Sequence, residues 1–402
     1  MRRKGQRLAA TAMALVLITA ACGDDSGDDE GSTDTTDAPA TQASIGEGEG
    51  SLSVLTWPYY AEDGSFTDGL DWVTPFEEAT GCDTTVKYFA TGDEAYQLFG
   101  TGDYDVVSPS GDQSMRMVAA GYNAPINTDL IETYDELAPF LKEQPNNSID
   151  GTVYGIPHGW GANVLQYNTE VVDPAPTSWS VVWEADSPYA GKIAAYDSPI
   201  YIADAALYLM DTQPELGIEN PYALDQDQFD AAIQLLKDQK PLLSEYWSDY
   251  VAYEDNFRSE STVLGTSWQI ITNTLQADPS PVDAVLPDEG STAWSDNWMI
   301  HADAEHPNCA YEWINYITSA SVQATVASTY GESSASLAAC TETPENGTDM
   351  AAHCEAYHTD DAAYYEQLAY WTTPTKECLD GRTDVECKDY SEWVAAWTEV
   401  KG

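Results

Sequence analysis

The sequence predicts an α/β protein built on an open sheet, and three observations carry that expectation. Strand-like and helix-like patterns alternate as β-α-β-α-β between residues 52 and 110, an order that produces a helix-covered sheet rather than an all-α or all-β domain. Hydrophobic residues form 43% and aromatic residues 11% of the chain, which supports a globular body. From about residue 51 the chain is long enough for two lobes with substantial cores.

Arg2, Arg3, Lys4 and Arg7 precede an apolar run over residues 8–18, followed by Thr19-Ala20-Ala21-Cys22. A basic start, a short apolar stretch and small residues make a secretory signal over residues 1–21. The run is shorter than the roughly 20 residues a membrane span needs. A cysteine directly after the small residues resembles the bacterial lipobox, which implies that Cys22 is lipidated and anchors the chain to the membrane. Thr19 departs from the usual leucine, and an ordinary cleaved signal with an incidental Cys22 is the alternative. Residues 22–50 are acidic, small and free of aromatics, so they are expected to form a disordered tether.

The body then follows. Residues 52–57 (LSVLTW) are β-rich, 71–80 are helical up to Gly81 as a C-cap, 84–89 are β-rich and 94–99 helical. YDVVSPS (104–110) is a buried strand running into a turn. YGIPHGWGANVLQYN (154–168) is expected to cross between lobes. Helices are predicted over 203–212 and 228–238, and strands in VLGTSW (263–268) and DAVLP (283–287). Residues 295–318 form a strand, a loop and an amphipathic helix with Trp313 and Ile317 on one face. The tail from residue 341 is loop-rich and ends in an amphipathic piece around Trp393 and Trp397.

With 15 basic against 68 acidic residues, the net charge is −53. That excludes nucleic acid as a partner, because phosphate backbones need lysine and arginine. It favours solubility and attracts cations in general without identifying a ligand. The aromatics are 25 Tyr and 13 Trp against 7 Phe, and such amphipathic rings suit binding sites and lobe interfaces. Beyond Cys22, six cysteines remain, an even number that implies disulfides in an exported protein. Proximity favours Cys340–Cys354 and Cys378–Cys387, leaving Cys82 for Cys309, although six cysteines allow 15 pairings. His353, Cys354 and His358 beside Cys340 are zinc-type ligands, but thiols oxidise outside the cytoplasm, and no metal or cofactor is expected. No G-x-S-x-G, Walker or H-E-x-x-H pattern occurs, and acidic pairs carry no signal among so many carboxylates. An enzyme is therefore not expected.

LTWPYY, FEEATGCDTTVKY, YDVVSPS, YGIPHGWGANVLQYN, TSWSVVWE, YAGKIAAYDS, VLGTSW, EGSTAWSDNWMI and AYEWINYIT stand in this order and spacing. Together they resemble the bacterial spermidine/putrescine-binding proteins, the solute-binding components of ABC importers, over residues 52–339. The resemblance implies a two-lobed, type II periplasmic-binding-protein-like fold with its ligand cleft between the lobes. It places lobe 1 at 51–161, lobe 2 at 162–293 and a return to lobe 1 at 294–340, with 341–402 packed on the lobes. It further implies a monomer outside the cytoplasm, whose partners are a small cationic solute, a membrane permease and its ATPase.

For the site, the resemblance implies Trp57 and Tyr60 facing the ligand, and Ser110 at the end of its strand. Trp268 and Trp294 would sandwich a methylene chain, with Asp296 pairing an ammonium group. Two further family carboxylates align with Ser198 and Tyr201, so a highly charged amine would lose partners there; Tyr201 stays a ligand candidate. Asp112 and Glu332 stand where the family has aromatics, and both are expected to restore acidity to the cleft. A surface sensor or adhesin on the same fold, or a binder of a non-amine solute, are the alternatives.

Overall fold

The computed structural model describes residues 41–278 and 280–402. The signal, Cys22 and most of the expected tether lie outside the described residues. Residues 41–50 do not behave as a tether. Ile45 packs against the first core, and Glu49 accepts hydrogen bonds from the Asn308 and Cys309 amides at the start of the helix Pro307–Ile317. Free N–H groups and a favourable dipole make that end a natural seat for a carboxylate. The acidic composition suggested solvation, whereas the Ile45 contact, the Glu49 capping charge and hydrogen bonds from Gln42 and Gly46 to Asn308 dock the segment.

In the first lobe, β1 (Ser51–Thr56) pairs in parallel with β2 (Asp83–Tyr88) and β3 (Val106–Val107). The connecting helix Val73–Thr80 ends at Gly81, whose φ of 76° suits a residue without Cβ. A hairpin of β4 (Ser148–Ile149) and β5 (Thr152–Val153) leads into β6 (Ile156–Asn168), 13 residues long. The second lobe holds β7 (Ile193–Tyr196), β8 (Leu243–Trp247) and β9 (Leu264–Trp268), with β10 (Val282–Val285) against β6. The chain returns along β11 (Ser291–Ile300), and β12 (Ser333–Ser334) and β13 (Leu368–Tyr370) are short additions.

Among the described residues eleven of these strands form one sheet in the order β2-β1-β3-β11-β6-β9-β7-β8, with β10 and β12 on β6 and β13 on β11, and β4 and β5 pair only with each other. Its centre is the antiparallel pair β6–β11, which spans both halves. The end of β11 pairs with β3 through Met299 and Ile300, and the end of β6 pairs with β9 from Asn163 to Tyr167. Leu52, Val54, Phe76, Trp298 and Trp313 build one core; Leu165, Ile193, Leu207, Phe229 and Trp393 build the other. The tail is more than a covering layer. β13 extends the sheet, and the helix Tyr390–Lys401 inserts Trp393 and Trp397 into the second core.

All three expected disulfides are present: Cys82–Cys309, Cys340–Cys354 and Cys378–Cys387. His353 turns to the Glu332 carbonyl and His358 to Asp361, so the zinc-type residues do not converge. Gly265 on β9 lies against β7, where a Cβ would meet the Ala194 carbonyl oxygen. A backbone atom held in a ladder cannot retreat. Gly265→Ala is therefore expected to cost about 1–3 kcal/mol, read as a lower urea midpoint with unchanged slope.

Candidate functional site

A cavity of about 480 Å³ opens between the lobes. Trp57 and Phe89 line it from the ends of β1 and β2, packed edge to face at 4.4 Å. Tyr59 joins them with a φ of 71°, an uncommon conformation for a bulky side chain. Ser110, Asp112 and Gln113 reach it from the start of the helix Gly111–Ala119. Tyr196 and Trp268 stand at the ends of β7 and β9 on the opposite wall, 5.5 Å apart. The tail supplies two more rings. Trp371 stacks on Tyr196 at 5.8 Å with 16° between planes, and Tyr390 lines the wall beside Asp112.

Among the described residues, four carboxylates border the cavity (Asp93, Asp112, Asp197 and Asp249), and no lysine, arginine or histidine does. Asp93 is paired with Arg116 at 2.6 Å and Asp197 with Lys401 at 2.6 Å. Asp249 is exposed and caps the helix Tyr250–Arg258. Asp112 differs. It is buried and has no cationic partner among the described residues. Its Oδ2 accepts from Gln113 Nε2 at 2.9 Å and Tyr390 Oη at 3.0 Å. Burial pushes its pKa up to about 6 even though those two donors favour the anion.

The expected residues separate into two layers. Trp57, Ser110, Asp112 and Trp268 line the cavity, and Ser198 does too. Tyr60, Trp294, Asp296 and Glu332 lie beneath it, buried at the β6–β11 crossing. Trp294 packs edge-on against Tyr330 and over Gly161, where only a hydrogen leaves room for its ring. Tyr201 belongs elsewhere. It is buried in the second core, stacked 5.4 Å from Trp183, and its hydroxyl accepts from Gln239 Nε2. The predicted ligand role of Tyr201 is corrected on that ground: the turn before the helix Ile202–Thr212 rotates it inward.

The lower layer gathers polar groups around Tyr60. Tyr60 Oη lies 2.9 Å from Asp296 Oδ2 and 3.0 Å from Glu332 Oε2. A phenol has one proton to give, so the second contact requires a proton on a carboxyl. Burial, then the Asp296 charge, holds the Glu332 pKa well above the ordinary range; burial above all pushes Asp296 up to about 7. Glu332 therefore carries the proton and Tyr60 donates to Asp296. His158 faces Glu332 at 3.5 Å, but burial lowers its pKa to about 3 and it is neutral. Its Nδ1 accepts from Trp298 and Gln323, which leaves the proton on Nε2, toward Glu332. The Asp296 carboxyl thus faces the Tyr60 and Ser110 hydroxyls, and the residue does not line the cavity.

Sequence reasoning missed Tyr196, Trp371, Tyr390 and Asp197. Tyr196 and Asp197 end the YAGKIAAYDS strand, and strand ends at a cleft are a usable signal. Nothing local marks Trp371 and Tyr390, because their position depends on how the tail docks.

A two-lobed α/β body with an aromatic and acidic cleft at a strand crossing defines a solute-binding protein. The bacterial extracellular solute-binding protein family matches residues 71–353, and the chain belongs to it. The chain is 27% identical over 305 residues to the spermidine/putrescine-binding periplasmic protein of Escherichia coli, covering 72% of this chain and 83% of that one. Among solved structures it is similar to the spermidine/putrescine ABC transporter substrate-binding protein of Streptococcus pneumoniae. The TM-score there is 0.65 at 20% identity, covering 87% of this chain and 97% of that one. A lipoprotein of Treponema pallidum gives 0.61 at 21% identity, covering 79% and 98%. The fold is that of the type II periplasmic binding proteins. Members of the family are solute-binding transport proteins, not enzymes.

A carboxylate whose folded pKa is raised binds more protons when folded. Its stabilising effect is complete below the unfolded value, near 4, and is lost as pH rises through the folded one. With Asp112 near 6, Asp296 near 7, and Asp204, which lies in the first turn of the helix Ile202–Thr212 and accepts from the Thr292 hydroxyl, also near 7, the ligand-free protein is expected to melt at falling temperature from pH 5 to pH 8. Asp296→Asn is expected to flatten that slope, raising Tm more at pH 8 than at pH 5; calorimetry at both pH values measures it.

Proposed function

We propose that this protein binds a small cationic amine outside the cytoplasm and delivers it to a membrane permease driven by an ATPase. The observation that carries the reading is Asp112, a buried carboxylate with no cationic partner among the described residues, set in a cavity walled by aromatic rings. Trp57, Tyr196, Trp268 and Trp371 offer faces for methylenes or methyls, and a cation over such a ring gains about 0.5–2 kcal/mol. Asp112 Oδ1 is free for a charge-assisted bond, which no neutral sugar or anion would use as well. The polyamine-binding relatives support the same class of solute. Because residues from both lobes line the cavity, the solute would favour the closed arrangement through contacts that exist only there.

The anchor is proposed to be lipid on Cys22. No helix among the described residues is long and apolar enough to cross a membrane, which is compatible with anchoring by acyl chains. Each protein would act as a monomer presented to its permease.

Calorimetric titration with putrescine, spermidine, monoamines, sugars and anions tests the solute class. An amine is expected to bind, and Asp112→Asn to weaken it by about 2 kcal/mol or more, because the ligand charge loses its buried partner. Binding of only a neutral sugar or an anion would contradict the reading. For the anchor, Cys22→Ser is expected to release the protein to the medium or leave the signal uncleaved. A variant that stays membrane-bound with the same mature mass would overturn it.

A further inference from the structure

We infer that the cavity takes a solute with a single cationic centre, because the Lys401 ammonium already occupies Asp197, the lining carboxylate that the far ammonium of a diamine would use. This rests on the cationic reading above and narrows it.

Asp197 follows Tyr196 at the end of β7, on the wall opposite Asp112. Lys401 Nζ meets both of its oxygens, at 2.7 Å and 2.6 Å, and Trp397 Nε1 adds a third contact at 3.2 Å. The ammonium is delivered by a fixed element rather than by a loose tail. The helix Tyr390–Lys401 begins with a capping box between Asp389 and Glu392, buries Trp393, Trp397 and Val400, and is held at its last carbonyl by Lys240. The other two lining carboxylates are exposed: Asp93 is paired with Arg116, and Asp249 accepts two helix amides on Oδ1. Of the four, Asp112 alone is both buried and without a cation among the described residues, so it is the carboxylate that can pair a desolvated ligand charge. A second ammonium, desolvated among the rings without a carboxylate, would raise the cost of binding.

Butylammonium and putrescine differ only in the second ammonium and make the matched pair for calorimetry. The native protein is expected to bind butylammonium at least as tightly as putrescine. Lys401→Met keeps the apolar stem and frees Asp197, so putrescine is expected to gain about fivefold relative to butylammonium, the upper range for one exposed ion pair. Lys388→Met removes an equal charge from the same helix region, where Lys388 pairs with Glu392, and is expected to leave the ratio unchanged. Adding Asp197→Asn to Lys401→Met is expected to cancel the gain. Preference of the native protein for putrescine by tenfold or more, or a ratio unmoved by Lys401→Met, overturns the single-charge inference and leaves the cationic site standing. If neither amine binds native protein or variant while a sugar or anion does, the cationic reading falls and this inference with it.

Discussion

The antiparallel pairing of β6 and β11 is the constraint on which the rest of the molecule depends. These two strands are buried along their length and belong to both halves, so every polar group they carry must find a partner inside the protein. Asp296 and the adjoining Glu332 meet that condition in part through Tyr60, with one proton on the carboxyl pair rather than an ion pair, while Asp296 Oδ1 and His158 Nε2 have no hydrogen-bond partner among the described residues. Gly159 and Gly161 make room for the network and for the Trp294 ring; a Cβ at either would collide with Glu332 or with the indole. The crossing strands thereby enclose a buried group of carboxyls around Tyr60, while Asp112 is the buried carboxylate that faces the cavity.

The sequence made the architecture legible. Alternating patterns named the α/β class, and a single apolar, glycine-rich run marked the strand that crosses between halves. Cysteine proximity favoured two bridges and left the third by remainder. The site was legible in outline. Trp57, Ser110, Asp112 and Trp268 line the cavity, whereas Tyr60, Trp294, Asp296 and Glu332 sit beneath it. Period-two spacing says that Trp294 and Asp296 share a face, and both do approach Tyr330. It says nothing of depth, which is set by what lies between that face and the cleft. Trp371 and Tyr390 could not be found locally, since they reach the cavity only after β13 has joined β11 and the last helix has docked.

The charge composition acquires a structural meaning at the same place. With only 15 lysines and arginines against 68 acidic residues, most carboxylates face water and need no partner. Two of the scarce cations nevertheless stand beside lining carboxylates: Arg116 on Asp93 and Lys401 on Asp197. Arg116 also lies over the Tyr96 and Tyr390 rings, so it braces the same tyrosine that orients Asp112. The cavity is therefore acidic but selectively neutralised, and the tail beyond residue 341 supplies both the neutralising lysine and two of the rings.

The central claim, that Asp112 receives the ligand's charge, is tested most directly by counting protons. Butyltrimethylammonium carries a fixed charge, so any proton exchanged on binding comes from the protein. Titration at pH 6 in two buffers of different ionisation enthalpy yields that count. Since burial sets the Asp112 pKa at about 6, about half a proton should be released on binding, and Asp112→Asn should abolish the release. Binding with no proton exchanged, or the same release from Asp112→Asn, would contradict the account.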